Sequence, residues 1–444
     1  MSETALRATP TAFTLDFDRL LRAVQRLFPW LIALHVLWSI AVSSRLLNSA
    51  GLDATFQAGF WLVQQQAIRA LIILAVFGTV IGLLRHSGDQ SGYGGKALTS
   101  LFGLIVIWLI AERVFFTTTD TPYSLGQWLG QLTNGLISGS LYALIALGYT
   151  LVYGILLMIN FAHGDVMMIG SYFGYFALQV FRGNASVFGS AEAASAVLTF
   201  LIMVVITLIA MVGSMTTGLV IERVAYRPLR RAPRLAPLIS AIGMSIFLQQ
   251  AAQRIFGPGQ RSFDRPTLLD GSVIINMGQK LGVVPIPKIG IIVFVAAFVL
   301  MFGLYSLVQR TRIGRAMRAV AEDKDTAALM GANVDRVIAI TFGLGAALAG
   351  AAGVMWGFYT RQTDPFAGFT PGLKAFTSAV LGGIGNIPGA VFGGIFLGLA
   401  EALGPFALGI PNQYQNVIAF ALLVFVLIFR PTGILGEILA EKKV

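Results

Sequence analysis

Arg310-Thr-Arg-Ile-Gly-Arg-Ala-Met-Arg-Ala-Val-Ala-Glu-Asp-Lys-Asp-Thr-Ala-Ala-Leu-Met-Gly-Ala-Asn-Val-Asp-Arg336 separates two long apolar runs, 289–307 and 337–358. Ten of these 27 residues are charged, six basic and four acidic, in a chain that is only 11% charged. Each flanking run approaches the ~20 apolar residues that cross a bilayer as a helix. The island between them reads as ordered. Residues 313–321 predict one short helix, with Arg315 and Arg318 three apart on one face. Glu322 to Asp325 forms a polar turn and supplies acidic groups to a second short helix over 325–330, which Gly331 ends in a C′ role. Asn333 is placed to cap the following span, and Asp335 sits at its positive end. Ala319, Ala321, Ala327 and Ala328 would give the island an ordered core. The residues alone leave two readings open: an ordinary positive-inside loop, or a docking surface for a partner in water.

The same reading extends over all 444 residues, which are 56% hydrophobic with a mean hydropathy of +0.78. The apolar runs are continuous rather than alternating, which excludes a β-barrel. In lipid each span must satisfy its own backbone, so the chain is an all-α polytopic membrane protein. Spans are predicted at 28–44, 67–84, 98–116, 131–157, 163–181, 196–221, 236–255, 288–308, 337–360 and 414–430, with one span or two half-spans in the Gly-rich 373–405. That makes about 10–12 transmembrane helices, some broken or re-entrant. The run from Phe28 reads as a retained span rather than a signal peptide. The net charge of +11 marks cytoplasmic loops and not a nucleic-acid partner. There is no cysteine, which excludes disulfides, thiol catalysis and thiolate metal sites.

Arg22 and Arg26, Arg223 to Arg234, the island, and Arg430, Lys442 and Lys443 can all lie inside, with both termini cytoplasmic. This requires 373–405 to leave and return to the outer face, through two short helices meeting at Gly382-Gly-Ile-Gly-Asn-Ile-Pro-Gly389. Arg113 at a span end pairs with Glu112. The polar stretch 117–123 divides an N-terminal membrane extension, 1–120, with about three spans, from a working region, 121–444.

Asn160-Phe-Ala-His-Gly-Asp165 joins two apolar runs with almost no loop. Its polar groups therefore lie at or inside the membrane boundary, where a helix break exposes backbone groups to a pathway. His163 and Asp165 could gate, shuttle protons or pair. The alternative is a cytoplasmic turn capped by Asn160 or Asp165. His35 and His86 lie in unrelated segments, so no metal-ligand cluster forms. Glycines four apart, Gly353 and Gly357, Gly389 and Gly393, Gly394 and Gly398, with Gly135 and Gly139, let helices approach closely, or line a path where a helix breaks. Asn184-Ala-Ser fits a glycosylation triplet of low specificity. No phosphate loop, nucleophile elbow or zinc-protease motif is present.

From Gln131 onward the chain resembles the LivH-type permeases of branched-chain amino acid ABC importers. The resemblance is carried by Asn134-Gly-Leu-Ile-Ser-Gly-Ser-Leu-Tyr-Ala, Met158-Ile-Asn-Phe-Ala-His-Gly-Asp165, Ile221-Glu-Arg-Val-Ala-Tyr-Arg-Pro228, Leu238-Ile-Ser-Ala-Ile-Gly-Met-Ser-Ile-Phe-Leu-Gln249, the island, Leu373-Lys-Ala-Phe-Thr-Ser-Ala-Val-Leu-Gly-Gly-Ile-Gly385 and Pro431-Thr-Gly-Ile-Leu-Gly436, in order over about 320 residues. The first 120 residues depart from that pattern. The resemblance implies an ABC importer permease fold in a bacterial inner membrane. It implies partners as well: a second homologous permease, two cytoplasmic ATPase subunits and a periplasmic binding protein. The chain itself would be no enzyme and need no cofactor, since ATP hydrolysis belongs to the partners. Asp325-Thr-Ala327-x-x-x-Gly331 is similar to the Glu-Ala-Ala-x-x-x-Gly core of the family's ATPase-docking loop. The docking residues are then Arg315, Arg318, Glu322, Asp325, Ala327 and Gly331. The translocation path would involve Asn160, Phe161, His163, Asp165, Gly383 and Gly385. Competing readings keep the fold and change the cargo to urea, short amides or another small polar nutrient, or make the chain a membrane scaffold or sensor.

Overall fold

The computed structural model describes residues 125–435, apart from 157, 184, 190–194, 231, 234, 277–282, 409–410 and 430–431. The spans predicted before residue 120, Arg22, Arg26, His35, His86, Glu112, Arg113, Asn184, Arg430, Lys442 and Lys443 lie outside the described residues. By internal contacts the chain divides into two units, 1–122 and 123–444, and only the second is described below.

Eleven helices carry the argument. They are α1 Leu125–Leu156, α2 His163–Phe181, α3 Ala196–Ile221, α4 Leu235–Phe256, α5 Lys288–Arg310, α6 Arg312–Glu322, α7 Lys324–Leu329, α8 Val334–Thr360, α9 Phe369–Gly382, α10 Ile387–Leu408 and α11 Gln415–Phe429. Six of them are long and apolar enough to cross a membrane: α1, α3, α4, α5, α8 and α10. Helices α1 and α8 form the centre, with 89% and 83% of their most apolar stretch buried, against 28% for α3, α4 and α5. The outer three helices expose Phe200, Phe247 and Phe302. In a bilayer such faces meet lipid or another subunit, with no solvation cost.

Small residues decide how closely the central helices pack. A Cβ on Gly139 would lie 2.9 Å from the Gly394 carbonyl oxygen, and one on Gly135 2.9 Å from that of Gly398. The antiparallel α1–α10 contact is therefore backbone on backbone, the packing expected of glycines four apart. Gly393 packs in the same way against Ser378 and Gly382, folding α9 back along α10. Of the 373–405 segment, only α9, at 14 residues, is short. Helix α10 runs 22 residues and is long and apolar enough to span on its own, which favours one span over two half-spans in this segment.

Two helices begin inside the bundle. The His163 ring at the start of α2 packs on Gly148, which touches Gly345. These glycines lie eight residues before the end of α1 and eleven after the start of α8, so α2 starts roughly 12–16 Å inside both ends at 1.5 Å per residue. The start of α9 reaches the same level, because Gly368 and Gly372 touch Gly164.

The island folds as two helices, α6 and α7, within a residue or two of the sequence reading. Thr311 Oγ1 accepts from the Gly314 N–H (3.0 Å) and caps α6. Asp323 Oδ1 accepts from the Asp325 and Thr326 N–H groups (2.9 and 3.1 Å) and caps α7. Asn333 Oδ1 accepts from the Arg336 N–H (3.0 Å) and caps α8, as its position predicts. Of the four alanines expected to form the island's core, only Ala327 is buried. Gly314, Met317, Val320 and Ala327 are buried, whereas Ala319, Ala321 and Ala328 are exposed. The inner face of α6 recurs three apart, a spacing that the alanines do not follow.

Between α4 and α5 the chain forms an antiparallel hairpin, Ser272–Asn276 on Val283–Pro287, with Ile274 opposite Pro285. Nothing in the sequence reading anticipated it. Arg265 Nε donates to the Phe358 carbonyl (2.6 Å) and its Nη2 to that of Tyr359 (2.5 Å). These bonds close the end of α8 farthest from the island, supplying partners to carbonyls that lack intrahelical ones.

Candidate functional site

The first turns of α2 and α9 meet at glycines. A Cβ on Gly164 would lie 2.5 Å from the Gly368 carbonyl oxygen and 2.9 Å from Gly372 Cα. Beside this contact opens a cleft walled by Tyr149, Phe161, Asp165, Ile242, Ser245 and Phe369. Its volume of about 90 Å³ is well below the ~300–1,000 Å³ of small-molecule clefts, so the walls stand close together in this arrangement. The walls are apolar and aromatic apart from Asp165, Ser245 and the Tyr149 hydroxyl. The Asp165 carboxylate is 1% exposed. A carboxylate so placed needs donors. It accepts from Gln249 Nε2 (2.9 Å) and Ser245 Oγ (2.5 Å), which are four apart on one face of α4.

The break before α2 is ordered by Asn160. Its Oδ1 accepts from the Ala162 N–H (3.1 Å) in an Asx turn, and its carbonyl accepts from the His163 N–H (3.1 Å). The same Oδ1 accepts from the Tyr226 hydroxyl (2.9 Å). Neither Asn160 nor Asp165 caps α2. Ala162 occupies the cap position without a side-chain bond, and Asp165 lies in the first turn, where a helix favours negative charge. His163 and Asp165 do not pair. The imidazole stands edge-on to Tyr149, ring centres 4.8 Å apart, and its Nε2 has no hydrogen-bond partner among the described residues. Phe161 packs on Phe376 at 5.7 Å.

Gly383 and Gly385 are not part of this cleft. They sit beyond the opposite end of α9, eleven and thirteen residues past Gly372, or at least ~15 Å along a helix. Both have positive φ, 102° and 97°, which glycine adopts freely. The C-terminal segment ties this turn down. The Ile434 N–H donates to the Leu381 carbonyl (2.7 Å), the Leu435 N–H to that of Gly382 (3.1 Å), and Asn386 Nδ2 to that of Leu435 (2.9 Å). The turn is held as a structural corner.

A second polar group inside the bundle escaped the sequence reading. Lys374 on α9 and Glu401 on α10 form an ion pair, 4% and 5% exposed. Lys374 Nζ also donates to the Tyr142 hydroxyl (3.4 Å). The isolated charges in apolar runs were the available signal.

On the island, Arg315, Glu322, Asp325 and Gly331 are exposed. Gly331 has φ 86°, as a C′ glycine should. Ala327 is buried as part of the hydrophobic core. Arg318 is exposed as well, and its Nη1 donates to the Val308 carbonyl (2.7 Å) and to Gln309 Oε1 (2.8 Å), closing the end of α5. Leu329 and Met330, which sequence reasoning passed over, are 88% and 84% exposed at the end of α7.

Residues 131–427 match the family model described as "Branched-chain amino acid transport system / permease component". The chain is 49% identical over 318 residues to BraD of Pseudomonas aeruginosa, a high-affinity branched-chain amino acid transport system permease protein, covering 71% of this chain and 98% of that relative. It is 45% identical over 315 residues to LivH of Escherichia coli K12, which bears the same description, covering 71% of this chain and 97% of LivH. No solved structure matches the chain significantly. With two helix N-termini meeting inside the bundle and an ordered charged loop between two spans, the chain belongs to the permease family of branched-chain amino acid transport systems.

Proposed function

We propose that this permease passes branched-chain amino acids across the inner membrane through the cleft between α2 and α9. The observation that carries this reading is the meeting of two helix N-termini inside the bundle beside one buried carboxylate and apolar walls. Such termini carry partial positive charge, which suits a substrate carboxylate. Asp165 suits its ammonium group, and Phe161, Ile242 and Phe369 suit a branched aliphatic side chain. The names of the relatives favour this cargo over urea or short amides. The second permease, the two ATPases and the periplasmic binding protein complete the assembly, and the two termini face the cytoplasm. The extension 1–120 stands as an added membrane unit before the permease core.

Docking of an ATPase falls to α6 and α7. Leu329 and Met330 offer an exposed apolar anchor, and Arg315, Glu322 and Asp325 are exposed on the same island, the composition of an interface with an apolar core and charged rim. Closure of the ATPases moves α7, and α8, following directly, carries the movement into the bundle.

Uptake of labelled leucine by proteoliposomes holding the whole importer tests both parts. Asp165→Asn keeps shape and the acceptor for Gln249, turns the other oxygen into a donor that the Ser245 hydroxyl can accept, and removes the charge. It is expected to lower uptake at least ~10-fold, the worth of about 1.4 kcal/mol, with binding-protein docking retained. Normal uptake in that variant removes Asp165 from the path. Leu329→Asp with Met330→Asp is expected to release the ATPase subunit on gel filtration while the permease melts as wild type. Co-elution unchanged by these substitutions argues against docking at α7.

A further inference from the structure

We infer that the π-helical turn Glu222–Tyr226 is the joint by which the docking island acts on the cleft, with Tyr226 as the positioning residue. This rests on the reading of the island as the ATPase dock. The turn follows α3 directly, and the Arg227 N–H bonds back five residues to the Glu222 carbonyl. Such turns hold one residue more than an α-helix accommodates and recur at functional sites. Loss of that extra residue rotates everything after it by about 100°, one residue's share of a 3.6-residue turn. The turn is thus able to occupy two discrete arrangements, as a coupling element must.

Both ends of this turn are tied, each to a different site. On the island side, Arg230 pairs with buried Glu222 and with Asp335 in the first turn of α8. Arg227 holds the other oxygen of Asp335 at 2.6 Å. Helix α7 packs on α8, whose first turn carries Asp335, so the island's second helix is joined to the same cluster. A shift of α7 and the start of α8 therefore pulls on Glu222. On the membrane side, Tyr226 is fully buried, packs on Phe342 at 5.2 Å between ring centres, and donates its hydroxyl to Asn160 Oδ1. That oxygen also holds the Ala162 N–H, at the residue that opens α2. Rotation of Tyr226 releases or re-aims the break, and Asp165 lies one turn beyond it. Ser240 Oγ bonds the Ala225 carbonyl at 3.2 Å, so the same turn reaches α4, which carries Ser245 and Gln249.

The test is the number of ATP molecules hydrolysed per leucine moved, in proteoliposomes holding both permeases, the ATPases and the binding protein. Tyr226→Phe removes one hydroxyl and leaves the ring on Phe342. It is expected to raise the ratio at least ~5-fold, the low end of allosteric couplings, with an unchanged melting temperature. Asp335→Asn, at an exposed position, is expected to do the same and serves where Tyr226→Phe lowers the folded yield. Arg230→Lys keeps charge but loses the two-pronged contact, and is expected to fall between. Ratios at the wild-type value in both Tyr226→Phe and Asp335→Asn overturn the joint while leaving the dock standing. Undiminished ATP-driven uptake with Leu329→Asp and Met330→Asp overturns the dock, and the joint with it.

Discussion

Lys374→Met is expected to strip most of the folded protein from the membrane, and adding Glu401→Leu in the same chain is expected to restore it. The two side chains are 4% and 5% exposed and face one another across α9 and α10. Lys374 also lies over the Tyr142 ring, 5.5 Å from its centre. Removing one member leaves the other charged, buried and without its counter-charge, which costs about 3–5 kcal/mol. Few domains hold more than ~5–15 kcal/mol in total. Replacing both with apolar residues of similar size removes the charge and its desolvation together, which is often neutral or stabilising. The order of melting temperatures in detergent is therefore wild type and double variant together, with the single variants far below. Equal melting of Lys374→Met and wild type would show that the pair is not what holds α9 to α10. Full stability without leucine uptake in the double variant would instead assign the pair to the transport cycle.

What the sequence disclosed and what it withheld divide along the range of the interactions. The island's helices were legible because their determinants lie within a turn: Thr311 and Asn333 cap within three residues, and Gly331 ends α7 with its own positive φ. The break at 160–165 was legible from polar residues with no room for a loop. The partners of Asp165 were not, since Ser245 and Gln249 lie 80 and 84 residues away on a helix whose rotation only packing sets. Gly383 and Gly385 announce a helix break in the sequence but not what surrounds it. Positive φ and a helix break are the same signal at a cleft and at a corner, and only the Ile434 and Leu435 bonds across the turn separate the two. Arg318 is a basic residue on the expected face, and its spacing does not disclose that its guanidinium also closes the preceding helix. Charge and spacing reveal that a residue is special but not which neighbour it serves.

Gly394→Leu is expected to abolish the folded permease, and Gly303→Leu to leave it unchanged, although both place leucine on a long apolar helix. On α10, a Cβ at Gly394 would lie 2.5 Å from both the N and the Cα of Ala143 on α1. The obstacle is backbone, which no rotamer change relieves. The helices must part along a seam where Gly139 meets Gly394 and Gly135 meets Gly398. Separation loses the dispersion contacts that hold helices together where lipid offers no hydrophobic drive. Overpacking of this kind costs about 1–3 kcal/mol in soluble cores, and more where backbone must move. On α5, Gly303 has nothing within 4 Å of a Cβ and faces outward between Phe302 and Tyr305, both exposed. A leucine there meets lipid and removes a helix-weakening glycine, worth roughly 0.5–1 kcal/mol in an exposed helix. Fluorescence-detected gel filtration of the two tagged variants from membranes separates the cases: an aggregate or no peak for Gly394→Leu, a wild-type peak for Gly303→Leu. A monodisperse Gly394→Leu permease with wild-type melting would mean that α1 and α10 do not meet at these glycines. A defective Gly303→Leu permease would mean that the outer face of α5 is the seat of the second permease subunit rather than of lipid.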